Sequence, residues 1–439
     1  MKLTAALFAL MLAANASAQT VYYGDSTVTW STADPGYQIE CDCQDLQQWH
    51  LTKNRAREAW TINTGTQSFK VGVLGSGIDT LGYDFGLYLY GGNPGPHPNI
   101  WTNPNEVYDG IDNDSNGVVD DVHGANFTGA TPTGIVQDGW GQGTILAGVM
   151  AAEGPSMAFR GVGVVPNITI VPIKVTESFV ADAAAVPDGL AYARSVGCKI
   201  VVGTGGTNAV HQPTKDQIAL NTAAGMLTVW SAGAYSGGDI DRCPEPCELP
   251  GSAYPAKHSD PGLLVVADGR YVTASGMVHY SANSNYGTTS VDIHAPVNNT
   301  SSSNGGIPNI RTVGLDNAWW DVSGGGWTST AQVAGAAAMI WGANPELTAA
   351  QVKAFIMDYG QPKGLSAYTV TGKTLDVKAS LDAANASGPL ETEGAGDPLV
   401  TPVARPADGK TYDVQGRRVD SDYKGVRFVN GRKRVGVKP

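Results

Sequence analysis

Five apolar runs of strand length punctuate the chain: FKVGVLGSGI at 69–78, ITIVPIKV at 168–175, CKIVVGTGG at 198–206, MLTVWSAG at 226–233 and GLLVVADG at 262–269. Between and beside them lie alanine- and glycine-rich stretches of helical length, among them GQGTILAGVMAAE at 141–153, VPDGLAYARSVG at 186–197 and DQIALNTAAGM at 216–226. A strand that is apolar along its whole length has no face to give to water, so both faces must be covered. Alternation of such strands with helices is the pattern of an α/β domain with a mostly parallel central sheet and helices on both faces. The stretches TAAQVKAFIMDYG at 348–360 and GKTLDVKASLDAAN at 372–385 close that domain, placed at residues 48–385.

The ends differ from this centre. Residues 1–18 hold one Lys, an apolar run and the small-residue site Ala16-Ser17-Ala18, the pattern of a secretory signal peptide. Residues 19–47 read as a short polar, irregular leader. The Pro-, Gly- and Glu-containing run at 386–408 reads as a linker, and 409–439 as a small C-terminal β module whose Asn430-Gly431 marks a hairpin. No segment after the signal peptide is long and apolar enough to span a bilayer, so a secreted, periplasmic or cell-surface bacterial location is expected.

Of 439 residues, 42% are hydrophobic and 15% charged, enough for one large core plus an appendage. The 56 glycines and 25 prolines show no fixed period, which excludes a collagen-like chain. A net charge of -12 argues against nucleic acid as a partner, because affinity for phosphate backbones rests on Lys and Arg. The tail is the exception, with ten Lys or Arg against four Asp from Arg405 onward. Of the five cysteines, Cys243 and Cys247 in RCPEPCELPG lie in a proline-punctuated loop that a short bridge would fasten. Cys41 and Cys43 either bind metal or form a strained bridge, and Cys198 reads as a small buried hydrophobe.

Over roughly residues 48–385 the segments resemble, in order, those of the subtilisin-like serine proteases, the subtilases. VGVLGSGID resembles the strand that carries the catalytic Asp, and DGWGQGTILAGVMAA the segment that carries the catalytic His. SAGAYSGG resembles the oxyanion segment, YSANSNYGTTSVDIHAPV the SNYG…VDVAAPG block, and GGGWTSTAQVAGAAAMIW the nucleophile helix. The resemblance implies a subtilisin-like fold and, by family, a serine peptidase. It also implies which positions carry the chemistry, and at each of them this chain departs from the family. Gly75 stands at the Asp position, Gln142 at the His, Trp327 at the Ser and Ala234 at the oxyanion Asn. An amide cannot take a proton near neutral pH, and an indole carbon is no nucleophile. Loss of either the Ser or the His from such a triad costs about 10⁶-fold in turnover.

Neighbouring residues offer no obvious substitute. Ser329 is about 200° around a helix from Trp327, and Ser76, Asp138 and His123 lack a partner in sequence. The expected function is therefore that of a pseudoprotease that binds a peptide or protein, with Val202, Gly203, Thr204, Gly205 and Gly206 pairing an extended segment. The alternatives are a secreted endopeptidase or other hydrolase with a relocated constellation, and a surface role that uses no cleft. Trp327 either fills the vacated centre or offers a stacking surface.

One further motif, DGIDNDSNGVVDDVHG at 109–124, spaces Asp112, Asp114, Asn116 and Asp120 as oxygen ligands around Gly117, like the start of an EF-hand loop. His123 stands where the closing Glu would be. The motif also resembles acidic calcium-binding insertions of bacterial subtilases, so either a Ca²⁺ site or a solvated acidic turn is expected there. The C-terminal module resembles terminal modules of exported Bacteroidetes-type proteins, which implies cell-surface attachment or a simple stability role.

Overall fold

The computed structural model describes residues 48–80, 85, 99–152, 162–178, 182–234, 237–247, 249, 253–272, 277–298 and 309–387, with the backbone of six short strands outside them. The expected signal peptide, Cys41, Cys43 and most of the expected linker lie outside the described residues. The chain forms two compact units, Met1–Leu390 and Glu391–Pro439. In the second, three short antiparallel strands pair in sequence order, Tyr412–Asp413, Val426–Val429 and Arg432–Val435.

The stretch read as an irregular leader carries a small antiparallel sheet, β1 (Gln19–Tyr23), β2 (Ser26–Trp30) and β3 (Gln38–Glu40). Tyr23 pairs with Ser26 across the two residues Gly24 and Asp25. The Val, Tyr, Thr and Trp of these strands are strand formers.

The large sheet is built from β4 (Lys70–Gly75), β5 (Ala125–Asn126), β6 (Thr169–Lys174), β7 (Ile200–Gly203), β8 (Leu227–Ser231), β9 (Leu263–Val272), β10 (Met277–Tyr280) and β11 (Ile293–Val297), closed by two short strands, Gln361–Pro362 and Lys373–Thr374. From β5 the order runs β6, β4, β7, β8, β9, β11. Every one of these pairs is parallel; β10 alone adds to β9 antiparallel. The apolar runs are the interior strands, as unbroken hydrophobicity requires. A separate hairpin joins β12 (Ile310–Val313) to β13 (Trp319–Val322).

Eight helices are used here: α1 (Trp49–Lys53), α2 (Ala56–Ala59), α3 (Gln142–Ala151), α4 (Val186–Ser195), α5 (Gln212–Ala223), α6 (Trp327–Ala343), α7 (Ala349–Tyr359) and α8 (Val377–Ala386). α3 and α6 differ from ordinary surface helices. Every residue of α3 is buried, as is α6 from Thr328 to Trp341, so neither shows one apolar stripe. They pack on each other against the sheet. Small residues permit these contacts: a Cβ on Gly335 of α6 would stand 3.1 Å from Met150 O of α3, and one on Gly148 of α3 2.5 Å from Thr312 Oγ1 of β12. By contrast α7 and α8 carry conventional starts, a Thr348/Gln351 capping box and an Asp376 cap. Buried Gln332 fixes α6 in place, donating to Pro296 O at 2.9 Å and accepting from Asn54 Nδ2 at 2.9 Å.

Candidate functional site

In a parallel sheet the carboxyl ends of the strands meet the amino ends of the following helices. Here β4 ends on Gly75, and its end abuts the first turn of α3, which begins at Gln142. A Cβ on Gly75 would lie 3.0 Å from both Gln142 Oε1 and Gly143 Cα. Helix and strand therefore approach as closely as they do because residue 75 has no side chain. Gln142 is buried; its Nε2 donates to Thr204 Oγ1, beyond the end of β7, and its Oε1 has no partner. The indole of Trp320 closes this corner from β13, with ring atoms 2.3 Å from where a Cβ on Gly141 would be. Gly141 can hold that place because its φ of 89° suits only glycine well.

Asp138 and Ser76 are engaged here structurally. The Asp138 carboxylate accepts from Trp140 N, Gly141 N, Thr144 N and Thr144 Oγ1 at 2.7–3.0 Å, and from Ser76 Oγ at 2.8 Å. This buried anion at the start of α3 satisfies amides that a helix leaves unpaired.

The second corner is the start of α6. Gly326, at φ 83°, precedes Trp327 and presses on β8: its Cβ would stand 2.0 Å from Ser231 Oγ. Trp327 is half-buried against the main core and its indole folds back, with Nε1 2.1 Å from where a Cβ on Gly325 would lie. Beneath sits Asp268, fully buried on β9, accepting from Gly326 N at 3.2 Å and Ser329 Oγ at 2.6 Å. Burial raises the Asp268 pKa above the usual carboxylate range, opposed by these hydrogen bonds. Ser329 is thus sealed inside the core and tied to a carboxylate, not placed as a substitute nucleophile. The amino end of α6, a natural seat for an anion, is already filled by a side chain of the same chain.

Ala234 follows β8 and is bridged antiparallel to Ser284, while Asn285 N donates to Gly233 O at 3.0 Å. Its methyl group offers no donor. Through Thr204, Ser231 and Gly326 the four altered positions lie around one locus, at the carboxyl ends of β4, β7 and β8 and the amino ends of α3 and α6.

The expected peptide-pairing segment is different from the sequence reading. β7 is an interior strand, with Val202 paired to Val73 on one side and Val229 on the other. Val202 has both ladders filled and so no edge to offer a peptide, whereas Gly203 is paired with Trp230 of β8 only and is buried. Thr204 is buried and bonded to Gln142, and only Gly205 and Gly206 are partly exposed. Trp230 occupies the space below them. Its ring would clash with a Cβ on Gly203 at 2.5 Å, and its Nε1 donates to Gly205 O at 2.8 Å. One backbone acceptor that an extended ligand would use is therefore taken internally.

The acidic loop also regroups. Carboxylate oxygens of Asp112 and Asp114 come within 4.8 Å of one another and of Glu106. Glu106 is buried, with Oε1 accepting from Asp114 N at 2.9 Å and Oε2 without a partner. Asn116 and Asp120, also expected as ligands, lie outside that group and hold the loop, as Asp112 and Asp114 also do: Asn116 Nδ2 donates to Asp121 at 2.9 Å, and Asp120 accepts from the amides of Asp109 and Gly110 at 3.1 and 2.9 Å. A buried carboxylate oxygen lacking a donor, beside two more carboxylates, fits a hard divalent cation such as Ca²⁺. Glu106 lies outside the EF-hand-like spacing, so that spacing could not point to it. His123 is held by Trp101 O at 3.0 Å and contacts the Tyr108 ring.

Cys243 and Cys247 are joined in a disulfide, and Cys247 N donates to Asn208 O at 2.6 Å. Glu245 in the same ring accepts from Val210 N at 3.1 Å. The ring thereby braces the loop after Gly206. Cys198 is a free, buried thiol whose pKa burial pushes up to about 12, so it is inert.

A profile described as the subtilase family matches residues 66–387. Subtilisin-like protease 1 of Plasmodium vivax is 35% identical over 139 residues, 31% of this chain and 19% of that protein. Its counterpart in Plasmodium berghei (strain Anka) is 33% identical over 132 residues, 29% of this chain and 20% of that protein. The matches thus span about a fifth of those relatives. Among solved structures, a protease of Pseudoalteromonas arctica PAMC 21717 superposes with TM-score 0.58 at 18% identity, covering 77% of this chain and 97% of that one. Sphericase superposes with TM-score 0.52 at 20% identity, covering 71% and 92%. MycP1 with its N-terminal propeptide removed gives 0.52 at 19%, covering 76% and 96%. Both the sheet order and the family match agree with the subtilisin-like fold expected from the sequence, and the chain belongs to the subtilase family.

Proposed function

We propose that this chain is an exported, non-proteolytic subtilase that acts by binding peptide or protein segments. The observation that carries the proposal is the head of α3. Where the family's base would stand, a buried amide donates its N–H to Thr204 and abuts a glycine where a Cβ would already be in tight contact with Gln142 and Gly143. Three further facts support it: an indole heads α6, Ser329 is buried on Asp268, and Ala234 lacks a side-chain donor. No remaining group at the locus combines an accessible hydroxyl or thiol with a base among the described residues. Fluorophosphonate treatment of the mature protein is expected to leave it unlabelled; stoichiometric labelling at a serine would end the proposal.

Ligand contact through the old cleft is confined to Gly205 and Gly206, with Trp230 as a floor. Replacing Gly205 by Phe is expected to abolish binding of extended peptides there, and unchanged binding would move the site elsewhere. Glu106, Asp112 and Asp114 would hold Ca²⁺, whose role would be to fix the loop and not to take part in chemistry. Export through the signal peptide and surface attachment through the C-terminal module complete the proposal. It is consistent with the finding that, among the described residues, no helix is long and apolar enough to cross a membrane.

A further inference from the structure

Among the described residues, nine large hydrophobic side chains are exposed, and five of them fall between residues 107 and 140. They are Val107 (59% exposed), Tyr108 (68%), Ile111 (59%), Ile135 (68%) and Trp140 (45%). Single exposed hydrophobic residues are ordinary, but a concentration of them in one segment marks a contact surface. Sequence charge gives the second, independent observation. From Val71 to Phe159 there is no Lys or Arg at all, against ten Asp or Glu.

Hydrogen bonds make one surface of these separate stretches. Asp120 accepts from Asp109 N and Gly110 N at 3.1 and 2.9 Å, which fixes the 107–111 turn against it. Val119 pairs with Thr133, and Gly134 N donates to Val119 O at 2.8 Å. Gly134 lies directly on Asp120, since a Cβ there would be 1.7 Å from Asp120 O. Ile135 follows at once, and Trp140 is held through its amide by Asp138. Tyr108 is oriented by its edge contact with His123, ring centroids 6.3 Å apart. An aliphatic and aromatic surface is thereby set beside the carboxylates of the 109–114 turn and next to the amino end of α3; Lys174, which donates to Gln137 O at 3.0 Å, is itself paired with Glu177.

We infer that this surface docks a segment of another protein in which Lys or Arg alternate with Leu, Val or Phe. The apolar side chains of such a segment would cover Tyr108, Ile111 and Ile135, and its cations would meet Asp109 and the net negative charge that Glu106, Asp112 and Asp114 keep around a divalent cation. An acidic segment is repelled by the same field, and a purely apolar one gains nothing from it. The surface does not involve Gly205 or Gly206, so it stands or falls separately from the cleft.

The test is fluorescence anisotropy of a labelled synthetic peptide of alternating Lys and Leu with the full mature protein at fixed Ca²⁺. Saturable binding is expected, about tenfold weaker for the Tyr108→Ser, Ile111→Ser double variant. It should also weaken from about 50 to 200 mM salt. The Ile135→Ser variant, a change at an exposed side chain, gives the same readout if the double variant fails to fold. Leu220→Ser, a change at an exposed hydrophobic side chain outside the surface, is expected to leave binding unchanged. Equal binding of an alternating Lys and Ser peptide, or unchanged affinity in folded Ile135→Ser protein, overturns the inference.

Discussion

Gly75 and Gln142 meet at the head of α3 so closely that a Cβ on the glycine would lie 3.0 Å from the Gln142 amide oxygen. The two altered positions are therefore coupled by packing, not merely changed side by side. The strand end and the helix lie close together around the glycine, with the Gln142 amide turned to Thr204. A side chain at residue 75 would require Gln142 or the first turn of α3 to shift.

That relationship predicts the outcome of reconstruction. Gly75→Asp should destabilise the protein by about 1–3 kcal/mol, the cost of forcing atoms into a filled site, as measured by urea unfolding. The triple variant Gly75→Asp, Gln142→His, Trp327→Ser should still not hydrolyse a fluorogenic peptide. Substantial turnover by the triple variant would show that the scaffold had kept its catalytic spacing.

Asp138 is predicted to be a structural anion. Asp138→Ala leaves three buried amides and two hydroxyls without their acceptor and should cost about 3 kcal/mol. Asp138→Asn should recover part of that loss, because one carbonyl oxygen remains. Equal stability of wild type and Asp138→Ala in denaturant titrations would contradict the role.

Stability should fall at mildly acidic pH for a reason that can be located. His50 and His294 are buried, their ring nitrogens have no partner, and burial lowers each pKa from 6.5 to about 3. Arg57 adds to the effect at His50. The unfolded chain binds these protons first, so the contribution is complete above pH 6.5 and is lost as pH falls toward 3. Between pH 7 and 5 each imidazole should remove about 2 kcal/mol. Urea titrations of His294→Leu should show a correspondingly smaller loss over that interval; an identical loss would place the acid sensitivity elsewhere.

Calcium binding should depend on Glu106 and not on Asp120. Millimolar Ca²⁺ is expected to raise the melting temperature, since a ligand held only by the folded state stabilises it. Glu106→Gln should abolish the rise and Asp120→Asn should leave it. The reverse pattern would return the ligand set to the EF-hand-like spacing.

Much of the fold could be read from the sequence because its signals are local. The runs that became β4, β6, β7, β8 and β9 are continuous and apolar, and the segment GGGWTSTAQVAGAAAMIW that reads as the nucleophile helix is α6 with the glycines before it. What escaped notice depends on contacts distant in sequence. Asp268 ends an apolar run and reads as a strand terminus, yet its partners Gly326 and Ser329 lie 58 and 61 residues away. Trp320 on Gly141 and Trp230 beneath Gly203 are likewise packing relationships that no spacing announces. The interior place of β7 is a matter of sheet order, which made Val202 a poor choice for peptide pairing.

The most direct test of the whole account is casein hydrolysis by homogeneous mature protein, beside an active subtilase at equal concentration. The account predicts no release of peptides above the buffer background, with or without Ca²⁺. Cleavage that co-purifies with the chain and is unchanged in the Trp327→Ala variant would contradict it, and would require a catalytic centre formed by other residues.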